Sequence, residues 1–242
     1  MLRIAATDQP LTNVEADLVL LPGRAAFVPA TGTLLVADVH LGKAATFRRA
    51  GIPVPEGSAQ RDLARLVALA ARHTARRVVV LGDLIHAKSG CTEAVLDEFR
   101  TARQRIAADV LLVLGNHDRG LGMSPATLAA RLGIDACLPA LDEPPFHLVH
   151  EPAADLQTPR RDLFTIGGHL HPTIAIGSPS GDRLADRCFV AEPSTLVLPA
   201  FGSFTGGHRV AYADGMRVWI ARDDGVADVT AIVARSRRAR RG

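Results

Sequence analysis

Cysteine is scarce in this chain: Cys91, Cys137 and Cys188 are the only three in 242 residues, and none forms a C-x-x-C pair. That spacing excludes a disulfide framework and a metal site built on thiolates. No apolar run approaches the ~20 residues that a membrane helix needs. The N-terminus also lacks the basic-then-apolar order of a signal peptide, so a cytoplasmic protein with no membrane partner is expected. Internal repeats and long linkers are absent too. With 48% hydrophobic and 22% charged residues, the chain can build a large core, and disorder is excluded for most of its length.

The body also lacks an excess of basic charge. Formal net charge is +3, but Arg235, Arg237, Arg238, Arg240 and Arg241 all lie in residues 235–242, which leaves residues 1–234 at −2. A single domain is therefore expected over 1–234, followed by a basic, disordered tail over 235–242. Such a tail either adds salt-sensitive phosphate contacts to a nucleic-acid substrate or is an ordinary solvated end.

What is present is a series of short apolar runs, each followed by polar residues. Leu34-Leu35-Val36-Ala37, Val78-Val79-Val80-Leu81 and Leu111-Leu112-Val113-Leu114 read as strands covered on both faces, the pattern of a parallel sheet. Between them, Ser58 is a candidate cap for a helix to about Thr74, with Leu63, Leu66, Val67 and Ala70 on one face. Thr92 caps a second helix carrying Val95, Leu96 and Phe99, and Ser124-Pro125 to Gly133 frames a third. Gly51 to Gly57, with two prolines, cannot be regular. From His147 onward the texture changes to short strands, among them His147-Leu148-Val149, Leu163 to Ile166, Cys188-Phe189-Val190, Leu196-Val197-Leu198, His208 to Tyr212 and Met216 to Ile220. Alternating βα units followed by a run of strands describe an α/β fold in which two sheets pack face to face between helices.

The polar residues that follow these strands are Asp38, His40, Asp83, Asn116, His117, His150, His169 and His171. Carboxylate and imidazole together suit manganese, iron or zinc. Eight groups exceed what one ion takes, whereas two ions about 3.5–4 Å apart, bridged by a shared carboxylate, use seven. Coordination lowers the pKa of water from about 15.7 to about 7 for a single zinc, so hydroxide is available as nucleophile at neutral pH and no Ser or Cys nucleophile is required. Gly115 is expected to turn the chain sharply after its strand and so present Asn116 and His117. His147, three residues before His150, points to the opposite strand face and reads as structural, and Cys91 reads as a core thiol. Lys43, Arg48, Arg49, His86 and His208 are candidate substrate contacts or ordinary surface groups.

Asp38-x-His40, Gly82-Asp83, Gly115-Asn116-His117-Asp118, a later His150 and Gly168-His169-x-His171, in that order, resemble the calcineurin-like metallophosphoesterase superfamily. The resemblance implies an αββα sandwich of two mixed sheets, with Asp38, His40 and His171 on one metal, Asn116, His150 and His169 on the other, and Asp83 bridging. It implies that His117 faces the substrate and helps protonate the leaving oxygen, with Asp118 behind it as an orienting acceptor. Two divalent ions, most simply manganese, with iron or zinc as alternatives, are the implied cofactors.

Further stretches narrow the resemblance. Asp38 to Lys43, Phe47-Arg48, Gly51 to Pro55, Pro199-Ala200-Phe201-Gly202 and Thr205-Gly206-Gly207 are similar to the bacterial ligase-associated DNA damage response endonucleases. That family implies manganese-dependent DNA cleavage and an association with a repair helicase and a DNA ligase. Only 33 residues separate Asn116 from His150, too few for a cap enclosing a small substrate, which favours a polymer. The acidic body points the other way, since nucleic-acid binding usually leaves a basic footprint. The expected function is a DNA endonuclease acting on single-stranded or unpaired regions. A small-molecule phosphoesterase or pyrophosphatase is the alternative, and a scaffold without catalysis is disfavoured by the intact ligand set.

Overall fold

The computed structural model describes residues 2–7, 17–49, 51–52, 54, 57–155, 162–177 and 183–238. Seven strands form the first sheet in chain order: β1 (Ile4–Ala6), β2 (Leu18–Leu21), β3 (Ala25–Val28), β4 (Thr33–Val36), β5 (Arg77–Leu81), β6 (Asp109–Val113) and β7 (Ala136–Leu138). Strands β4 to β7 are parallel, and β2, β3 and β4 are joined by antiparallel hairpins. The crossovers carry α1 (Lys43–Arg49), α2 (Ser58–Arg72), α3 (Glu93–Arg103), α4 (Asn116–Arg119) and α5 (Pro125–Leu132).

The second sheet holds β8 (Leu141–Glu143), β9 (Phe146–Leu148), β10 (Phe164–Gly167), β11 (Pro172–Gly177), β12 (Arg183–Glu192), β13 (Thr195–Val197), β14 (His208–Arg209), β15 (Arg217–Ala221) and β16 (Val226–Asp228). Its order is β14-β11-β12-β13-β10-β9-β8, with β15 paired to β12 and β16. Helix α6 (Pro152–Asp155) follows β9, and α7 (Thr230–Arg238) closes the described chain.

Successive side chains of a strand point to opposite faces, and that alternation divides the core. Val78, Val80 and Leu112 join Leu66, Leu96, Phe99 and Leu128 under the helices. Their neighbours Val79, Leu81 and Val113 meet Phe146, Leu148, Ile166, Phe189 and Leu196 between the sheets. A third cluster, with Val190, Val218, Ile220 and Val233, lies between the second sheet and α7. The αββα layering expected from the sequence is the one observed, and both faces of the central strands are buried.

Several local expectations change. Gly57, in a left-handed conformation with φ 73°, is the N-cap of α2, and Ser58 is instead its first residue; the helix ends at Arg72. Thr92 and Ser124 do cap, accepting from Val95 N at 3.4 Å and Thr127 N at 3.1 Å. The strand expected from His208 to Tyr212 shrinks to two residues. Helix α7 runs through Arg238, with Val233 in the cluster under the second sheet, so residues 235–238 are helical. Residues 53, 55–56 and 239–242 lie outside the described residues.

Candidate metal centre

In-register parallel pairing sets Val36 beside Val80 and Val80 beside Leu112, so β4, β5 and β6 end at one edge. Asp38 and His40 leave β4 there, Asp83 leaves β5, and Asn116 and His117 leave β6. In the second sheet β9 and β10 are likewise parallel, with Leu148 beside Ile166, and release His150, His169 and His171. Backbone bonds lock these ends together. His40 N donates to Asp83 O at 2.9 Å, Gly168 N to His150 O at 2.9 Å, and His169 N to Asp38 Oδ2 at 2.9 Å, the last joining the two sheets.

This convergence strains the backbone. Asp38, His40, Asp83, His169 and His171 all have φ between 49° and 67°, and they are five of the seven non-glycine residues with positive φ among those described. Each such residue costs of order 1–3 kcal/mol, which the surrounding sheets must offset. Gly115 plays a different part from the one its sequence suggests. Its φ is −82° and ψ 174°, ordinary extended backbone, so no glycine is needed for the turn. Space is the reason instead: a Cβ there would lie 2.1 Å from Asp83 Oδ1, and one on Gly82 would lie 2.0 Å from His150 Nδ1.

Three groups of donor atoms result among the described residues: Asp38 with His40 and His171, Asp83 with His150 and His169, and His40 with His86 and His117. In the first, His171 Nε2 is 3.2 Å from His40 Nε2 and 3.3 Å from Asp38 Oδ1. In the second, His150 Nε2 is 3.0 Å from His169 Nδ1, 3.0 Å from Asn116 Oδ1 and 3.5 Å from Asp83 Oδ2. Asp83 Oδ2 is also 3.8 Å from His40 Nε2, so its carboxylate stands between these two groups.

The residues fit divalent metal ions. His150 Nδ1 lies 3.0 Å from Leu81 O, and a carbonyl only accepts, so Nδ1 carries a proton and Nε2 is the nitrogen left to ligate. Nε2 faces two oxygens, Asn116 Oδ1 and Asp83 Oδ2, an arrangement a cation between them stabilises. Asp38 Oδ1 is buried with no hydrogen-bond donor. Burial, reinforced by His171 and Lys43, pushes His40 down to about 2 and keeps it neutral, the ligating form. Burial pushes Asp83 up, against the pull of His150 and of the His117 amide. Nitrogen and oxygen without sulfur suit manganese, iron or zinc. The thiols take no part: burial pushes Cys137 and Cys188 up to about 12, and Cys91 packs against the core.

All seven expected ligands therefore come together, and His117 stands beside them. Its amide donates to Asp83 Oδ1 at 2.9 Å, and its Nε2 is 3.8 Å from Asp83 Oδ2. His86, ambiguous in the sequence, belongs to the site. Its ring stacks on His117 with centroids 5.0 Å apart, and its Nδ1 is 3.2 Å from His40 Nδ1. Asp118 does not orient His117. It is buried, and its oxygens accept from Gly115 N at 3.0 Å, Ile85 N at 3.1 Å and Leu84 N at 3.4 Å. Those bonds join the loop after β6 to the loop after β5, so Asp118 shapes the loops rather than the ring.

Lys43 lines a small hollow with His40, and Arg48 lines an adjoining cleft with Gln60 and Glu98 that shares Gly42 and Ser58 with that hollow. The side chain of Arg49 is not described. His208 is exposed, and its amide donates to His171 O at 2.9 Å, which puts it at the rim. His147 is structural as expected, buried with Nδ1 at 2.5 Å from Asp142 Oδ1. The sequence reading missed Glu151. Its Oε1 is 3.6 Å from His169 Nε2, the nitrogen opposite the one facing His150, and its place directly after a ligand was the available signal.

The chain belongs to the calcineurin-like phosphoesterase family, whose model matches residues 33–186, a span that includes all seven residues expected as ligands. It is a hydrolase of the phosphoesterase class. Among solved structures it is similar to the Pseudomonas putida nuclease MPE, at 35% identity and a TM-score of 0.67, over 87% of this chain and 94% of that one. A protein of unknown function, AQ665 from Aquifex aeolicus, matches at 16% identity and a TM-score of 0.38, over 57% of this chain and 77% of that one. No curated protein matches the chain.

Proposed function

We propose that this protein is a manganese-dependent DNA endonuclease that acts on single-stranded or unpaired regions in DNA repair, alongside a helicase and a ligase. The observation that carries the reading is the similarity to a nuclease over nearly the whole chain, joined to an open ligand face. Asp38, His40, Asp83 and His150 are buried, whereas Asn116 is exposed and His117, His169 and His171 are partly exposed. A polymer can lie across such a face, and a small metabolite gains little enclosure from it.

Asp38, His40 and His171 would hold one divalent ion and Asn116, His150 and His169 the other, with Asp83 shared between them. Bound there, such ions supply Lewis acidity to the phosphoryl oxygens and lower the pKa of water. The chain's own residues do the rest. Leu81 O fixes the tautomer of His150, and Glu151 favours the tautomer of His169 that leaves Nδ1 free. His117 donates a proton from its ring to the departing oxygen, a role typically worth 10²–10⁴-fold in order of magnitude. His86 supports both sides of the reaction, stacking on His117 and turning its Nδ1 to His40.

Incubation with manganese and a labelled single-stranded oligonucleotide tests the reading, with internal incision expected. Intact DNA beside hydrolysis of a nucleotide or lipid diphosphate would overturn it and favour the small-molecule alternative.

A further inference from the structure

We propose that Phe47 and Phe204 form a stacking platform beside the metal centre that receives one unpaired base of a nucleic-acid strand. The proposal rests on the nuclease reading above and names the part of the substrate that the metal ligands do not touch.

The two rings meet edge to face, with centroids 5.4 Å apart and planes at 89°. Both residues are only partly buried. Phe204 shares the wall of one hollow with His40 and Lys43, which places the platform next to a ligand. Lys43 Nζ lies 5.9 Å from the centroid of Phe47, supplying a cation where a backbone phosphate would pass. Ile52, whose amide donates to Phe47 O at 3.0 Å, is 46% exposed, one of two large hydrophobic residues so exposed among those described.

The loop that carries Phe204 is held far more firmly than Phe204 itself requires. The Arg187 guanidinium donates to the carbonyls of Ala200, Gly202, Ser203 and Thr205, at 2.7 to 3.2 Å. Buried Asp62 accepts from Ser203 N at 2.6 Å and Ser203 Oγ at 2.5 Å. Phe201 N donates to Ala37 O and Gly202 N to Asp38 O, which ties the loop to the stretch bearing the first two ligands. Phe201 is the residue anchoring the loop in the core; Phe204 belongs to none of the three core clusters. An aromatic ring left out of the core, on a loop fixed relative to the ligands, is pre-organised for an external partner. Every base has a π-face, so such a platform is tolerant of sequence, and paired bases have theirs covered by their neighbours. The same segment continues to His208, whose amide reaches His171 O, so it borders the site from the platform to the last ligand.

The test compares kcat/KM with manganese on a single-stranded oligonucleotide and on a strand of equal length in which abasic residues replace the bases. The wild-type protein should prefer the base-bearing strand by about fivefold or more, as loss of one stacked base predicts. In Phe204→Ala that preference should fall to about one, and Phe204→Trp should restore it. Phe204→Leu, which keeps apolar volume without a ring, gives the same reading should the alanine variant fail to fold. Equal cleavage of both strands by the wild type, or a preference that survives in Phe204→Leu, overturns the platform and leaves the nuclease reading standing. Failure to cleave either strand, beside hydrolysis of a small diester, overturns the nuclease reading and the platform with it.

Discussion

Replacing Gly115 by alanine should disable the enzyme through a single methyl group. The backbone at Gly115 is extended, so alanine meets no conformational penalty there, and any effect comes from space alone. The new Cβ would stand 2.1 Å from Asp83 Oδ1 and 2.4 Å from Asp83 N, where real Cβ contacts do not fall below 3.0 Å. The Asp83 carboxylate must then move by roughly 0.9 Å, the difference between 2.1 and 3.0 Å, and its backbone must move with it. That oxygen also accepts the His117 amide at 2.9 Å, a bond to a charged group worth about 1.5–3 kcal/mol. A displacement of about 1 Å at a catalytic group commonly costs ~10²-fold in rate. Turnover of bis-p-nitrophenyl phosphate with manganese should therefore drop about a hundredfold, with less metal bound per chain by atomic emission. Gly225→Ala is the control, since nothing lies within 4 Å of its new Cβ. Wild-type turnover and metal content in Gly115→Ala would refute the argument.

His117→Ala should lose about 10²–10⁴-fold in rate while metal content stays at the wild-type level; unchanged turnover contradicts its role as proton donor. His171→Ala should instead lower metal content, and full occupancy would show that its Nε2 is not a ligand. Removing metal with a chelator should lower the melting temperature and manganese should restore it, because two buried carboxylates and five strained residues then lack the cation that offsets them. Cys137 and Cys188, with thiols pushed up to about 12 by burial, should be inert to a thiol reagent at pH 8 until the protein is unfolded. Their thiolate fraction rises only as pH approaches that value, so labelling of the native chain at pH 8 would contradict it.

Much of the ligand set was legible because each ligand sits just after a buried strand, where composition changes abruptly within one or two residues. Asp38, Asp83 and Asn116 could be found that way without knowing how the strands pair. Asp118 shows the limit. Its side chain looked like a partner for the neighbouring ring because the two are adjacent in sequence, but its oxygens are taken by amides of Leu84 and Ile85, more than thirty residues away.

By itself the sequence determined the layering and the kinds of ligand. Periodicity reports which faces are buried, and Asp, Asn and His report their chemistry wherever they lie. Only the tertiary structure decided which atoms meet. The distances from Asp83 Oδ2 to His40 and His150, the contact of His150 Nδ1 with Leu81 O, the contacts of His86 and Glu151 and the crowding at Gly115 all depend on parallel strands ending at one edge. Those relations are distances between segments far apart in the chain, and such distances are set by strand register and by the packing of one sheet on the other.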